Sequence, residues 1–343
     1  MNILITGGAG FLGDRLARTL LERGTLCGRP ISQLMLADLM PPRSPQLLAD
    51  PRVHHRTGDL LEQVPALMTQ PWDAVFHLAS AVSAECEVNF DLGLHANLDT
   101  TRRLLDACRA QTAAGHPAPL FFFSSSVAVF GSDPALPLPD VVQDNTLPTP
   151  QSSYGIHKLV CEQLVADYTR KGFIDGRAAR LMTVSVRPGR PNGAASGFLS
   201  GLFREPLAGE PSVCPVDLET RVALASPATT VAGIVAVAEA SRDAFGGRTA
   251  INLPALTVSV RDMLAALEDL AGPDVMPLIT HVPDAAIARI VAGWPSRFES
   301  ERTAHLGLSG DASFAAILQQ YVQDNPDAVR QPLARARLGL PAL

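Results

Sequence analysis

The chain has 343 residues, 47% of them apolar and 18% charged, which allows a sizeable core and excludes wholesale disorder. Acidic residues outnumber basic ones, 34 to 28, for a formal charge of −6, and no Lys/Arg run or basic stripe occurs, which argues against a nucleic-acid partner. No apolar stretch approaches the roughly 20 residues of a membrane helix, and the opening Met-Asn-Ile-Leu-Ile-Thr has neither a basic n-region nor a small-residue cleavage site, so a cytoplasmic protein is expected.

The first half alternates short aliphatic runs with longer amphipathic stretches. Residues 2–6 read as a buried strand, 13–23 as a helix with Leu16, Leu20 and Leu21 on one face, 33–37 as a second strand, 53–57 as a third and 74–77 as a fourth. A helical pattern covers 96–113, a fifth strand with three consecutive Phe covers 120–124, a second long helix covers 153–171, and 183–187 reads as the sixth strand. Such alternation predicts an α/β fold, a doubly wound parallel sheet covered on both faces.

The character changes after Arg187. Residues 188–227 are rich in Gly, Pro and Ser, with one helical stretch at 198–207. Helices are then predicted at 229–240, 260–271, 285–292 and 312–322, with strands at 248–252 and 278–282. These pieces form a smaller C-terminal α/β lobe over the carboxyl edge of the sheet, and the tail beyond Asp327 is expected to be loose. Five scattered cysteines, at 27, 86, 108, 161 and 214, form no CxxC pair and are expected to be reduced. The eight histidines show no HxxxH or HExxH spacing, so no metal is expected.

Between the first strand and helix lies Thr6-Gly7-Gly8-Ala9-Gly10-Phe11-Leu12-Gly13. Gly7 permits a tight turn, Gly10 lets backbone approach a pyrophosphate, and Gly13 lets the helix pack closely on the strand. The free N–H groups around Phe11 and Leu12 then meet the phosphates at the positive end of the helix. Asp38, ending the second strand, is suited to accept hydrogen bonds from the adenosine ribose and to repel the extra phosphate of NADP, so NAD is expected. Asp59, in Gly58-Asp59-Leu60, is placed for the adenine amino group, and His77-Leu78-Ala79-Ser80 brings backbone past the nicotinamide half. His77 itself reads as structural. Residues 1–187 are thus a Rossmann NAD-binding domain to which later segments return, 188–325 a substrate lobe and 326–343 a tail.

Tyr154-x-x-x-Lys158 places a phenol and an ammonium on one helical face. The ammonium is expected to lower the phenol pKa and to hold the nicotinamide ribose. Ser124-Ser125-Ser126 stands at the C-terminal end of the fifth strand, the edge where open parallel sheets bind ligands. A hydroxyl there can polarise a substrate oxygen and aim it at Tyr154.

Glycine turn, acidic residue, serine cluster and Tyr-x-x-x-Lys, in this order, resemble the extended short-chain dehydrogenases, the NAD-dependent epimerase/dehydratase family, over residues 1–325. The resemblance implies Tyr154 as general base, Lys158 as its electrostatic partner and Ser126, the third of the triplet, as hydroxyl polariser, with Ser124 beside the cofactor. It also implies Asn97 near the cofactor, the backbone of Pro188 and Gly189 at the nicotinamide amide, and Phe130 where many members carry tyrosine. Members commonly form homodimers through the helices containing Asn97 and Tyr154, where Leu104, Leu105, Leu159 and Leu164 provide either interface or core. Segments 79–85, 187–192, 195–207 and 293–298 are similar to members that oxidise a four-carbon sugar acid at its C2 hydroxyl. Arg190 then either clamps the substrate carboxylate or sits in an ion pair, and Ser83 is a further substrate contact. A sugar-nucleotide epimerase or dehydratase with retained NAD is the alternative; a non-catalytic dinucleotide sensor has no need of Tyr154 and Lys158.

Overall fold

The computed structural model describes residues 1–189 and 195–341. Apart from a short hairpin of Thr25–Leu26 and Arg29–Pro30, its strands run β1 (Asn2–Thr6), β2 (Gln33–Asp38), β3 (Val53–Thr57), β4 (Ala74–His77), β5 (Leu120–Ser126), β6 (Asp175–Leu181), β7 (Thr183–Val184), β8 (Ser212–Cys214), β9 (Arg221–Ala225), β10 (Ile251–Asn252), β11 (Leu256–Ser259) and β12 (Ile279–His281). Seven of them form a parallel sheet in the order β10-β6-β5-β4-β1-β2-β3. The strand order reverses between β1 and β4, which opens a crevice at their carboxyl ends.

The apolar runs explain the two-sided cover. Ile3 and Ile5 of β1 and Phe122 of β5 face one core, with α1 (Phe11–Arg23). Leu4, Phe121 and Phe123 face the other, which contains Leu104, Leu105, Cys161 and Val165. The alternation is that of strand side chains, and both sets are buried because helices cover both faces. On the second face lie α2 (Leu60–Leu67), a π-helical turn (Leu94–Asp99), α3 (Thr100–Ala113) and α4 (Ser153–Arg170). The continuous helix expected over 96–113 is thus interrupted by wider winding at its start.

The sixth strand of the sheet is β6 and not residues 183–187. Ser124, Ser125 and Ser126 pair in register with Ala179, Arg180 and Leu181. Charge hid this strand in the sequence. Arg177 and Arg180 are both buried, which the sheet tolerates because Asp175 meets Arg177 at 2.6 Å and Glu162 meets Arg180 at 2.8 Å. The β-branched run that followed supplies β7, which joins a separate small sheet, β7-β9-β11. β8 and β12 pair in parallel beside it.

The second lobe has its own core. Leu202, Phe203 and Leu207 of α5 (Phe198–Leu207) pack with Met263 and Leu267 of α6 (Val260–Ala271) and with Phe314, Ile317 and Leu318 of α7 (Phe314–Asp324). The tail is not loose. Pro332–Arg337 is helical, with Arg335 buried and donating to the carbonyls of Pro326 and Pro341 at 2.8 Å. These bonds replace the periodic apolar pattern that the sequence lacked. Among the described residues no helix is long and apolar enough to cross a membrane.

Candidate active site

The turn after β1 is built of backbone. Gly7 has φ +72°, and a Cβ there would lie 2.8 Å from the amide nitrogen of Ala79. A Cβ at Gly13 would come within 2.1 Å of the Gly7 carbonyl oxygen. Any side chain at either position breaks the contact of the turn with α1 and with the end of β4. Leu78 N–H donates to the Thr6 carbonyl at 3.1 Å, which fixes that strand end against the turn. α1 starts at Phe11 after Gly10 with no side-chain cap, so its first N–H groups remain for an anion. These features fit the diphosphate of a dinucleotide.

Asp38 stands at the mouth of the same turn, accepting from Ala9 N–H at 3.0 Å and from Met40 N–H at 3.2 Å. Asp59 is a helix cap as well as an expected adenine contact. It accepts from Leu61 N–H at 2.9 Å and pairs with His95 at 2.9 Å. Burial opposes its ionisation, but the His95 bond and the amides of α2 outweigh that and hold the carboxyl below its usual range. Leu60, next along the chain, opens α2 and is partly buried.

At the ends of β4 and β5 the polar groups are tightly wired. Ser80 donates to the Asn97 carboxamide oxygen at 2.9 Å, and the same oxygen accepts from Ala81 N–H at 2.8 Å. Asn97 is buried within the π-helical turn, a winding often found at functional sites. Ser125 is buried and donates to Glu162 at 2.5 Å, so its hydroxyl is turned inward. Ser124 donates to the His77 carbonyl at 3.0 Å. Ser126 is the member of the triplet left partly exposed, and its Oγ accepts from Ala128 N–H at 3.1 Å.

Tyr154 and Lys158 lie on α4, started by the Ser152 hydroxyl, which accepts from Gly155 N–H at 3.1 Å. Gly155 is needed for close approach: a Cβ there would meet the Ala128 carbonyl oxygen at 2.1 Å. The helix is thereby held against the segment after Ser126. Burial pushes the Tyr154 phenol up to about 12, with Cys86 acting the same way and the nearby Ser126 and Ser80 hydroxyls acting against it. The expected lowering by Lys158 is not realised. Its Nζ lies 5.5 Å from the Tyr154 ring centroid and donates instead to the Ser124 carbonyl at 2.8 Å. Burial pushes this ammonium down to about 8, with Cys161, Cys86 and Glu162 acting in the opposite direction.

His77 is wired between Thr6 at 2.7 Å and Thr101 at 2.8 Å, as suits the structural role read from the sequence. Burial, followed by the nearby Lys158 charge, pushes its imidazole down to about 3. Below pH 6.5 the unfolded chain therefore takes up a proton that the folded chain refuses, and stability is lost as pH falls from there towards 3. The contribution should be about 1.4 kcal/mol per pH unit. Denaturant titrations between about pH 6 and pH 4 should show that slope as the difference between the natural protein and His77→Gln; parallel curves would mean that His77 titrates freely.

Ser83 opens the helix Ser83–Val88 and is partly buried. Pro188 is partly buried and Gly189, with φ +87°, is exposed. Arg190 lies outside the described residues. Of the four leucines considered for an interface, Leu104 and Leu105 are fully buried in the core, while Leu159 and Leu164 are partly buried and pack against buried clusters. Exposed apolar side chains on or beside the same helices are Val88, Phe90, Ile156 and Val160. Among the described residues no His/Cys/Asp/Glu group is arranged to hold a metal ion.

Sequence reasoning missed the Glu162–Arg180 pair beneath the serines and the unusual position of Arg187. The first had a signal, since Glu162 follows Lys158 by one helical turn; the second had none before the neighbours of Arg187 were known.

A parallel sheet in this order, with a side-chain-free turn at the first crossover and a Tyr–Lys helix beside the serine strand, defines a dinucleotide-binding fold. Residues 3–252 match the NAD dependent epimerase/dehydratase family, and the chain belongs to it. Among its relatives, the D-erythronate dehydrogenase of Cupriavidus necator is 47% identical over 332 residues, spanning 94% of this chain and 98% of that one. The D-erythronate dehydrogenase of Haemophilus influenzae is 41% identical over 327 residues, spanning 94% and 99%. Among solved structures, the nucleoside-diphosphate-sugar epimerase from Agrobacterium tumefaciens superposes with a TM-score of 0.89 at 38% identity, over 96% of each chain.

Proposed function

We propose that the protein oxidises the C2 hydroxyl of D-erythronate to 2-oxo-D-erythronate, with NAD as oxidant and NADH as product. The observation that carries this reading is the seating of the Tyr154–Lys158 helix on the serine strand, with Lys158 donating to the Ser124 carbonyl at 2.8 Å and Gly155 packed against the Ala128 carbonyl just after Ser126. The near full-length identity to D-erythronate dehydrogenases supports the substrate.

Bound NAD would supply the two-electron acceptor for the hydride leaving C2. The chain's residues handle the rest. Gly7, Gly10 and the amides of Phe11, Leu12 and Gly13 hold the diphosphate. Asp38 takes the adenosine ribose and excludes NADP by charge, and Asp59 and Leu60 border the adenine. Leu78, Ala79, Ser80, Asn97, Ser124, Pro188 and Gly189 border the nicotinamide half. Ser126 donates to the substrate oxygen and turns it towards Tyr154, which as phenolate accepts the hydroxyl proton. Lys158 supplies positive charge to the nicotinamide ribose and, through it, to the phenol. Ser83 offers a hydroxyl to the substrate, and a guanidinium of the segment after β7 takes its carboxylate. We place the enzyme in the cytoplasm as a homodimer, through the face bearing Phe90, Ile156 and Val160.

Purified protein should form NADH, followed by its near-ultraviolet absorbance, with D-erythronate in preference to other four-carbon acids and L-threonine, and should sediment at twice the chain mass. Flat traces with every hydroxy acid, together with interconversion of a sugar nucleotide without net NADH, would replace this reading by an epimerase.

A further inference from the structure

Among the described residues Arg187 is a cation without an anion. Its backbone N–H donates to the Ser200 hydroxyl at 3.1 Å, and its carbonyl accepts from Arg204 at 3.0 Å, so α5 fixes its backbone. The half-buried guanidinium donates to the Ser196 hydroxyl at 3.1 Å. Among the described residues no carboxylate pairs with it, while the neighbouring Arg204, itself buried, is matched by Glu205 at 2.5 Å. Residues 190–194, Arg-Pro-Asn-Gly-Ala, contain no acidic side chain either. Two guanidinium groups and one carboxylate leave one positive charge unmatched in a part-buried place. Burial and then Arg204 both push the Arg187 guanidinium below its usual range, with no acid acting against them. Partly buried charge without a partner is costly, and a cation held in this way is completed by an anionic ligand.

The position suits the substrate. Leu181, at the end of β6, pairs in register with Ser126. Met182, the next residue, belongs to a small apolar cluster against which Val127, the residue after Ser126, packs. The chain therefore leaves the sheet beside the serine that faces Tyr154 and reaches Arg187 a few residues later.

We infer that Arg187 is the carboxylate anchor of the substrate site, binding the acid group through its two-pronged guanidinium while Ser196 holds one prong in place. This rests on the sugar-acid reading above and names the residue that makes the enzyme select an acid over an uncharged polyol. The bidentate geometry of a guanidinium matches a carboxylate, and such a pair fixes orientation as well as affinity.

The test compares D-erythronate with its uncharged amide in the natural enzyme, Arg187→Gln, Arg187→Lys and Arg190→Gln. Arg187→Gln should raise KM for the acid by roughly 30–100-fold. KM for the amide and for NAD should stay within about threefold, and Arg187→Lys should recover part of the loss. An Arg187→Gln enzyme with the natural KM for the acid, or with acid and amide weakened equally, overturns the assignment. So does a selective loss in Arg190→Gln but not in Arg187→Gln. If the natural enzyme oxidises D-erythronate and Arg187→Gln keeps its acid preference, only the anchor fails. If the natural enzyme oxidises no hydroxy acid, the dehydrogenase reading fails and takes the anchor with it.

Discussion

Tyr154→Phe should lower kcat for D-erythronate by roughly 10³-fold, within the 10²–10⁴-fold span of a lost general base, with NAD affinity unchanged within a factor of two. The substitution removes one oxygen and leaves the ring in place, near Lys158 at 5.5 Å from its centroid and on a helix whose close approach depends on Gly155. The dinucleotide contacts of the turn, Asp38 and Asp59 are untouched. The phenol stands at about 12 in the protein without dinucleotide, so proton abstraction near neutral pH needs positive charge brought close to it. Turnover should accordingly rise with pH through the neutral and alkaline range in the natural enzyme, and the small residual activity of Tyr154→Phe should lack that rise. Isothermal titration with NAD and single-turnover rates would decide. A variant with more than about a tenth of the natural kcat would remove Tyr154 from the role of base.

Arg180→Met should cost about 3–5 kcal/mol of stability, the loss typical when one half of a buried ion pair is removed. Arg180 donates to both oxygens of Glu162, at 2.9 and 2.8 Å, and stacks on Phe130 at 4.9 Å from its centroid. Glu162 also accepts from Ser125, which belongs to the serine strand. With the guanidinium gone, a carboxylate 2% exposed stands uncompensated beside that strand. Adding Glu162→Leu removes the orphaned charge, and the double variant should regain most of the stability, to within about 1 kcal/mol of the natural protein. Denaturant midpoints of the four proteins in the cycle measure this. If the double variant is as unstable as Arg180→Met, packing against Phe130 and not charge accounts for the loss.

Much of the fold was legible because both faces of the sheet are covered. Strands β1, β4 and β5 read as unbroken apolar runs, and the glycine turn had its strand before and its helix after. β6 was not legible, since its Asp-Gly-Arg-Ala-Ala-Arg-Leu looks like a surface segment until Glu162 is brought to Arg180 from α4 and Asp175 of the strand itself pairs with Arg177. The same limit applied at the site. Tyr154, Lys158, Ser126 and Asn97 carry local patterns and could be named. The inward turn of Ser125, the capture of Lys158 by the Ser124 carbonyl and the unmatched charge at Arg187 each depend on groups far apart in the chain. Arg190 drew attention as the cation nearest a familiar motif, whereas Arg187 differs only in what fails to surround it.

The seventh strand of the parallel sheet, Ile251–Asn252, arrives only after β7, β8 and β9 of the second lobe have been made. During translation the nucleotide-binding half thus waits, with one margin of β6 unpaired, until well past the point where its recognisable motifs have left the ribosome. Such open margins invite pairing with other chains, and long-range closures of this kind are slow. The burden falls on the nascent chain rather than the finished enzyme: a fragment ending near residue 190 carries every catalytic side chain named here but lacks the strand that seals the sheet.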